Sequence, residues 1–218
     1  LFIQNKYEIT LPDGLEISIY LFIFSAEILG EINNFYGIIP HWDTCLHTIN
    51  GFLATAVGFS LVDLLNKNSK DINLSPFYLC LVAFCFSMTI GILWEFFEYG
   101  GDKFMKFDMQ KDTLITNISS VYLNPDNVNK PIIVDNIGKT EIFDIDGKLL
   151  YAVDGGYLDI GLNDTMKDLF VNFIGALVFS IFAYIGLKNN KKSSVVKKFV
   201  PTKEKRKIAE SVKNSLEI

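Results

Sequence analysis

The sequence TCLHTINGFLATAVGFSLV, from Thr44 to Val62, contains no Asp, Glu, Lys or Arg. Two more windows of nineteen residues share this property, Pro76 to Trp94 and Leu169 to Leu187. A helix needs about 20 predominantly apolar residues to cross a bilayer, so each window predicts a membrane-spanning helix. A fourth apolar segment covers residues 15–36, although glutamates lie toward both of its ends.

The composition of the whole chain agrees with a membrane protein. Half of the 218 residues are apolar, only 21% are charged, and the mean hydropathy of +0.28 is high for a soluble domain. Aromatic residues make up 14% of the chain, which excludes a disordered protein. The cysteines Cys45, Cys80 and Cys85 lie in or beside the apolar windows, so they are expected to be small core residues without a disulfide framework.

We therefore predict an all-α membrane helical bundle with at least four transmembrane helices. The predicted helices cover residues 15–36, 43–65, 76–99 and 166–187, and the polar stretch 100–165 forms a small extracytoplasmic insertion that contains β structure. The chain starts with Leu and has no signal-peptide pattern. We expect the N-terminus to be truncated, which makes the number of helices a lower bound.

The distribution of charge predicts the orientation in the membrane. The tail 188–218 carries ten Lys or Arg against three Glu, whereas the insertion 100–165 carries eleven acids against six lysines. Basic loops stay in the cytoplasm, so the basic tail with the C-terminus is predicted to be cytoplasmic and the insertion to lie on the other side of a multi-pass protein. Within the insertion, TEIFDIDGKLLYAV at 140–153 predicts a β-hairpin, with a type I′ turn at Asp146-Gly147.

Polar residues recur at the same end of every predicted helix once the helices alternate in direction. They are Glu27 and Glu31 in the first helix, Asp43, His47 and Asn50 in the second, Glu95, Glu98 and Asp102 at the end of the third, and Asp164, Asp168 and Asn172 in the fourth. Their spacings of three or four residues keep each set on one helix face. The sequence therefore predicts a shallow outward-facing pocket.

The charge of this pocket indicates a cation. Ionised carboxylates at membrane depth cost several kcal/mol unless they are paired, so some are protonated or a divalent metal ion binds. We predict Asp43, Glu95 and Asp168 as metal ligands, with His47 and Glu98 as catalytic groups for proton transfer. The other polar site residues are Asp164, Asn172, Asn50, Glu27 and Glu31. Mg²⁺, Mn²⁺, Ca²⁺ and Zn²⁺ fit the donors about equally, and neither a nucleotide nor an organic cofactor is indicated.

A structural interpretation stands beside this one. Asp43 and Asp164 lie where helix N-caps belong, and an Asp at an N-cap is more often structural than functional. His47 could connect two helices instead of binding an ion. Glu27, Glu31 and Glu98 could mark helix ends in the headgroup layer.

Three stretches resemble a known family: IPHWDTCLHTINGF at 39–52, LWEFFE at 93–98 and DTMKDLFVNFIGA at 164–176. They are similar to the YjdF-like bacterial inner-membrane proteins, an uncharacterised family, and more loosely to the VanZ-like membrane proteins. The resemblance implies a polytopic protein of the bacterial plasma membrane. It also implies that the motif residues form one site: Asp43, His47, Glu95, Glu98, Asp164, Asp168, Asn172 and Gly175. The long insertion between Glu98 and Asp164 departs from the shorter connection of VanZ-like chains.

Three functions remain open from the sequence. The first is a site, in contact with the lipid bilayer, that binds or modifies a lipid headgroup or a lipid-linked envelope precursor, with an envelope protein as a further partner of 100–165. The second is a membrane scaffold whose polar cluster is structural. The third is a proton or cation transporter, against which the polar residues gather at one end. No nucleic-acid partner is expected, because the membrane surface explains the basic tail.

Overall fold

The structure is a computed structural model that describes residues 9–10, 13–69, 73–188 and 202–203 of the chain. The chain divides into two compact units. The first unit comprises Leu1–Trp94 and Asp168–Ile218, and the second comprises Glu95–Lys167. Most of the basic tail 188–218 lies outside the described residues.

The first unit is helical. Helix α1 covers Asp13–Ile23 and continues as a π-helical segment, Phe24–Ile32, after which a short helix α2 covers Phe35–Ile38. The long helices are α3 (Trp42–Asn68), α4 (Pro76–Gly100) and α5 (Leu162–Lys188). Strand β1 (Ile9–Thr10) pairs antiparallel with β8 (Thr202–Lys203).

Three helices among the described residues are long and apolar enough to cross a membrane. They are Trp42–Lys67 in α3, Pro76–Met105, which is α4 with a π-helical continuation at Gly101–Met105, and Leu162–Lys188. The segment 15–36 carries three glutamates and is divided between α1, the π-helical segment and α2. A fourth spanning helix in this segment therefore stays a prediction.

Helices α3 and α5 run parallel, because early residues of one contact early residues of the other and late residues contact late ones. Gly51 meets Asn172, and the ring of Phe59 lies 6.2 Å from that of Phe179. Helix α4 runs the other way. The hydroxyl of Ser87, in the middle of α4, donates to the carbonyl of Gly51, whereas the earlier residues Leu79 and Cys80 lie in the core beside Phe59 of α3, eight residues after Gly51. The observed directions agree with the predicted alternation.

The core of the first unit lies between these three helices. Its buried members are Ala56, Phe59, Leu79, Cys80, Ala83, Phe179 and Ala183. In lipid, apolar burial does not by itself drive helix association, so close packing carries the stability. The alanines permit that packing because their side chains are small and let the helix backbones approach. The phenylalanine rings fill the space that remains between the helices.

The second unit contains three two-stranded antiparallel sheets. The pairs are β2 (Leu114–Ile115) with β7 (Tyr157–Leu158), β3 (Ile118–Ser120) with β4 (Ile132–Val134), and β5 (Lys139–Phe143) with β6 (Leu149–Asp154). The last pair is the predicted hairpin. Its predicted type I′ turn is wrong, because Gly147 has a positive φ of 82° but Asp146 does not.

The hairpin turn has a different physical basis. One carboxylate oxygen of Asp144 accepts hydrogen bonds from the backbone N–H groups of Asp146 and Lys148, at 3.0 and 2.8 Å. These bonds add to the backbone hydrogen bonds of the turn, which run from the N–H of Asp144 to the carbonyl of Lys148 and from the N–H of Gly147 to the carbonyl of Asp144. Only the residue that follows, Gly147, then needs the left-handed conformation that glycine adopts without strain.

Candidate functional site

A histidine and two carboxylates converge at the end of the bundle where α3 and α5 begin, here called the polar end. The imidazole Nε2 of His47 lies 3.4 Å from Oδ1 of Asp43 and 3.9 Å from Oδ2 of Asp168. One ligand atom from each of the three residues lies within 4.8 Å of the others. Among the described residues, this is the grouping whose donors could hold a metal ion.

Helical geometry explains how the three side chains meet. Asp43 lies in the first turn of α3, and His47 follows four residues later on the same face. Asp168 lies in the second turn of α5, which runs parallel to α3. The side chain of Asp168 is 1% exposed and that of His47 is 11% exposed, whereas that of Asp43 keeps 31% of its surface open. The group is therefore buried on one side and accessible through Asp43.

A layer of amides lies one helical turn further along α3 and α5. Asn172 is completely buried, and its Oδ1 accepts a hydrogen bond of 3.4 Å from Nδ2 of Asn50. The Nδ2 of Asn172 donates to the carbonyl of Ser87 at 3.5 Å. Asn172 thereby connects all three long helices. An amide can do this without a net charge, which is why it is tolerated in the interior of a membrane bundle.

Helix α4 packs closely against α3 and α5 in the same layer. A methyl group on Gly91 of α4 would lie 2.8 Å from Nδ2 of Asn172, so the backbone of α4 lies close to this side chain of α5. The carbonyl of Gly51 accepts hydrogen bonds from the hydroxyl groups of Thr55 at 2.7 Å and Ser87 at 2.9 Å. Ser87 was not among the predicted site residues. The only signal for it in the sequence was a hydroxyl group near the middle of an apolar window, and Thr89 in the same window gives the same signal.

The other predicted acids of α4 and α5 belong to the second unit. Glu95 and Glu98 are buried, at 5% and 8% exposure. Asp164 is buried as well, and its carboxylate accepts hydrogen bonds from the backbone N–H of Lys111 at 2.9 Å and from the ammonium of Lys167 at 2.8 Å. These contacts favour a structural role for Asp164, but the predicted N-cap position is wrong, because α5 begins at Leu162 and Asp164 lies inside its first turn. The predicted roles of Glu95 as a ligand and Glu98 in proton transfer stay predictions.

The acids of the π-helical segments differ from these. Glu27 and Glu31 are exposed, and the metal-type grouping does not include them. Asp102 accepts hydrogen bonds from the backbone N–H groups of Met109 at 2.6 Å and Gln110 at 2.9 Å, so it holds the chain that leaves the helix. Exposure explains how Glu27 and Glu31 carry a charge, and the two backbone hydrogen bonds explain it for Asp102, so none of the three needs a bound cation.

Two further acids of the second unit titrate in opposite directions. Burial raises the pKa of Asp112, and the charges of Asp108 and Asp159 raise it further. Burial also raises the pKa of Asp159. Hydrogen bonds from the backbone of Thr113, Asn163 and Gly161 outweigh this effect, and the net pKa of Asp159 is lowered. The hydrogen-bonded Asp159 therefore stabilises the folded unit as a carboxylate, whereas ionised Asp112 does not.

The opposite end of the bundle has a separate charged pair. Asp63 is 8% exposed and accepts a hydrogen bond from the ammonium of Lys67, one turn later in α3. The apolar core of the first unit, with Phe59 and Phe179, separates the level of Asp63 from the amide layer. Between these levels α3 buries the hydroxyl groups of Thr55 and Ser60, which donate to the backbone carbonyls of Gly51 and Ala56, but it carries no titratable side chain there.

Three apolar helices, a small β region and a histidine with two carboxylates at one helix end define a polytopic membrane protein with a potential metal-type site. The chain belongs to a family of predicted membrane proteins, DUF2238, whose model matches residues 1–189. An uncharacterised protein of Thermotoga maritima is 28% identical over 109 residues, a match that covers 48% of this chain and 55% of the relative. No solved structure matches the chain. The YjdF-like and VanZ-like resemblances stay predictions.

Proposed function

We propose that Asp43, His47 and Asp168 bind a divalent metal ion at the polar end, and that the ion recognises a phosphate-bearing lipid headgroup or a lipid-linked envelope precursor. The observation that carries the proposal is the position of Nε2 of His47 within 3.9 Å of both carboxylates. Metal–ligand bonds of about 2.0–2.2 Å to imidazole and carboxylate bring such donors to similar mutual distances.

The donor set leaves room for a substrate. Three protein ligands are typical of catalytic metal sites, which keep at least one position for water or substrate. Two carboxylates and one neutral imidazole give the group a net charge of about −2, and a divalent cation neutralises this charge. Since Asp43 is the exposed member, a headgroup oxygen would reach the ion from the side of Asp43.

The setting in the bilayer favours a lipid over a soluble substrate. The three long helices expose apolar side chains over much of their length, and such a surface is solvated by lipid chains. A phosphate held next to this surface would keep its acyl chains in the membrane. The bound ion would polarise the phosphate oxygens, and His47 or Glu98 is the proposed group for proton transfer.

Close packing around Asn172 supports a second candidate, the membrane scaffold. An amide that connects three helices fixes their register whether or not an ion binds nearby. A transporter has less support, because α3 carries no titratable side chain between the amide layer and Asp63, and the buried hydroxyl groups of Thr55 and Ser60 in this interval donate to the backbone of their own helix.

Metal analysis of the full chain, purified in detergent, separates these candidates. We expect wild type to retain about one equivalent of Zn²⁺, Mn²⁺ or Mg²⁺ after desalting, and Asp168→Asn and His47→Gln to lose it. Asp63→Asn is the matched control, because it removes a buried carboxylate at the opposite end of the bundle. If wild type retains no ion, and the site substitutions only lower the melting temperature, the scaffold is correct instead.

Binding of a lipid phosphate is a separate measurement. The metal-loaded protein should bind vesicles or nanodiscs that contain phosphatidic acid more tightly than those of phosphatidylcholine alone, and chelation should remove the difference. Inorganic phosphate serves as the soluble competitor. Equal binding to both lipids with and without metal would contradict the lipid part of the proposal and leave the metal site intact.

A further inference from the structure

Helices α3 and α5 are in direct backbone contact at two glycines. A methyl group on Gly175 of α5 would lie 2.0 Å from the carbonyl oxygen of Thr48 in α3. A methyl group on Gly51 of α3 would lie 2.1 Å from the carbonyl oxygen of Asn172 in α5. Each helix therefore presents a glycine to the backbone of the other, and neither contact involves a flexible side chain that could move aside.

The two contacts lie close to the proposed ligands. Gly51 follows His47 by four residues, and the backbone that it meets, at Asn172, follows Asp168 by four residues. Four residues are about one helical turn, so the contact of Gly51 with Asn172 lies one turn further along each helix than the imidazole of His47 and the carboxylate of Asp168. Both of these side chains are short and buried. The separation of the two helices in this layer consequently limits how closely Nε2 of His47 and Oδ2 of Asp168 can approach.

We propose that Gly51 and Gly175 are positioning residues of the metal site, and that the direct contact between α3 and α5 sets the distance between the imidazole of His47 and the carboxylate of Asp168. This inference rests on the proposed function. Ordinary van der Waals contact of a Cβ begins at about 3.4 Å. A methyl at Gly175 therefore requires the helices to separate by more than about 1 Å. Metal–ligand distances tolerate only about 0.2 Å, so one ion could no longer reach both side chains.

The structure offers a control for the general cost of an added methyl group. Gly58 is also in α3, and a methyl there would lie 2.8 Å from the ring of Phe86. A side chain can rotate away from such a contact, whereas the backbone of a neighbouring helix cannot. Gly58→Ala should therefore disturb the packing against α4 without separating α3 from α5.

The test measures Mn²⁺ and Zn²⁺ affinity of the full chain in detergent by titration calorimetry. Gly175→Ala and Gly51→Ala should weaken binding about 10- to 100-fold, the range seen when the support of metal ligands is disturbed. Gly58→Ala should change the affinity less than about 3-fold. Circular dichroism and gel filtration establish that each variant is folded before the titration.

A second substitution distinguishes positioning from general destabilisation. Asp168→Glu lengthens the ligand by one methylene, which should weaken binding in wild type but restore part of the affinity in Gly175→Ala, where the gap is wider. A merely structural glycine gives no such rescue.

The outcomes are separable. If wild type binds neither ion, the proposed function fails and this inference fails with it. If wild type binds the ions and Gly175→Ala binds them with the same affinity, the positioning role alone is overturned. The same holds if Gly58→Ala loses as much affinity as Gly175→Ala. It is also overturned if both alanine variants at the contact fail to fold while Gly58→Ala folds, because the glycines would then serve the fold itself.

Discussion

Helix α5 carries two buried aspartates one turn apart whose surroundings differ. Asp164, in the second unit, accepts hydrogen bonds from a lysine ammonium and a backbone N–H. Asp168, in the first unit, faces His47, which also faces Asp43. A cation of the protein compensates the charge of Asp164, whereas Asp168 shares one imidazole with a second carboxylate. The comparison shows that burial alone does not identify a ligand, because two buried aspartates one turn apart have different partners; that Asp168 binds a metal ion is the proposal that the next substitutions test.

Paired substitutions give the largest expected effect. Asp168→Asn should abolish metal retention, with at least about a 100-fold loss of affinity, because one of the three proposed ligands is removed. Asp164→Asn should keep the affinity within about 3-fold and lower the free energy of unfolding by about 1–3 kcal/mol, since charge-assisted hydrogen bonds are lost. Metal titration and thermal unfolding of the full chain measure both quantities. If the two variants lost metal equally, the distinction between the two aspartates would be wrong.

A smaller effect is expected in the amide layer next to Asp168. Asn172→Ala should destabilise the protein by about 1–3 kcal/mol, because it leaves Asn50 without its partner and opens a cavity between three helices. Ser180→Ala is the control on the same helix, since the hydroxyl of Ser180 has no hydrogen-bond partner among the described residues. Unfolding in detergent with increasing denaturant measures both. Equal midpoints would show that the amide layer does not hold the bundle together.

The smallest effect concerns the pH dependence of the second unit. The pKa of Asp159 is lowered in the folded state, so its contribution to stability is present above the unfolded value of 3.8 and is lost as the pH falls through the folded pKa. The pKa of Asp112 is raised, so its ionisation opposes folding above 3.8. At pH 7, Asp159→Asn should lower the unfolding midpoint of the full chain and Asp112→Asn should raise it slightly.

The difference between these two variants should shrink as the pH falls toward 3. Denaturant unfolding between pH 3 and 7 measures this trend. A constant difference across the range would mean that the hydrogen bonds of Asp159 do not depend on its charge.

Much of the fold followed from apolar windows. Long runs without charge predicted α3, α4 and α5, because such runs are stable only in a bilayer or a buried core. The alternation of direction then predicted that His47 and Asp168 approach each other, although 121 residues separate them. The hairpin also followed from the sequence, but its turn did not, since the side chain of Asp144 competes with the backbone geometry that Asp-Gly usually adopts.

The site was predicted less completely. Spacing along a helix places Glu27, Glu31 and Asp164 at the same end as His47, but spacing does not show which neighbour each acid finds. The structure leaves Glu27 and Glu31 exposed and gives Asp164 the backbone of Lys111, which no helical pattern could reveal. The backbone of Lys111 reaches Asp164 only because the chain folds back over 53 residues, and this is a tertiary contact.

The sequence by itself determined that this chain has apolar helices of membrane-spanning length and polar residues at their ends, because hydropathy and helical period are local properties. Only the tertiary structure decided which polar residues meet. That choice depends on backbone contacts such as Gly51 with Asn172 and Gly175 with Thr48, where the lack of a side chain lets two distant helices touch. Contact between distant helices is a property of three-dimensional packing, and helical spacing within one segment does not encode it.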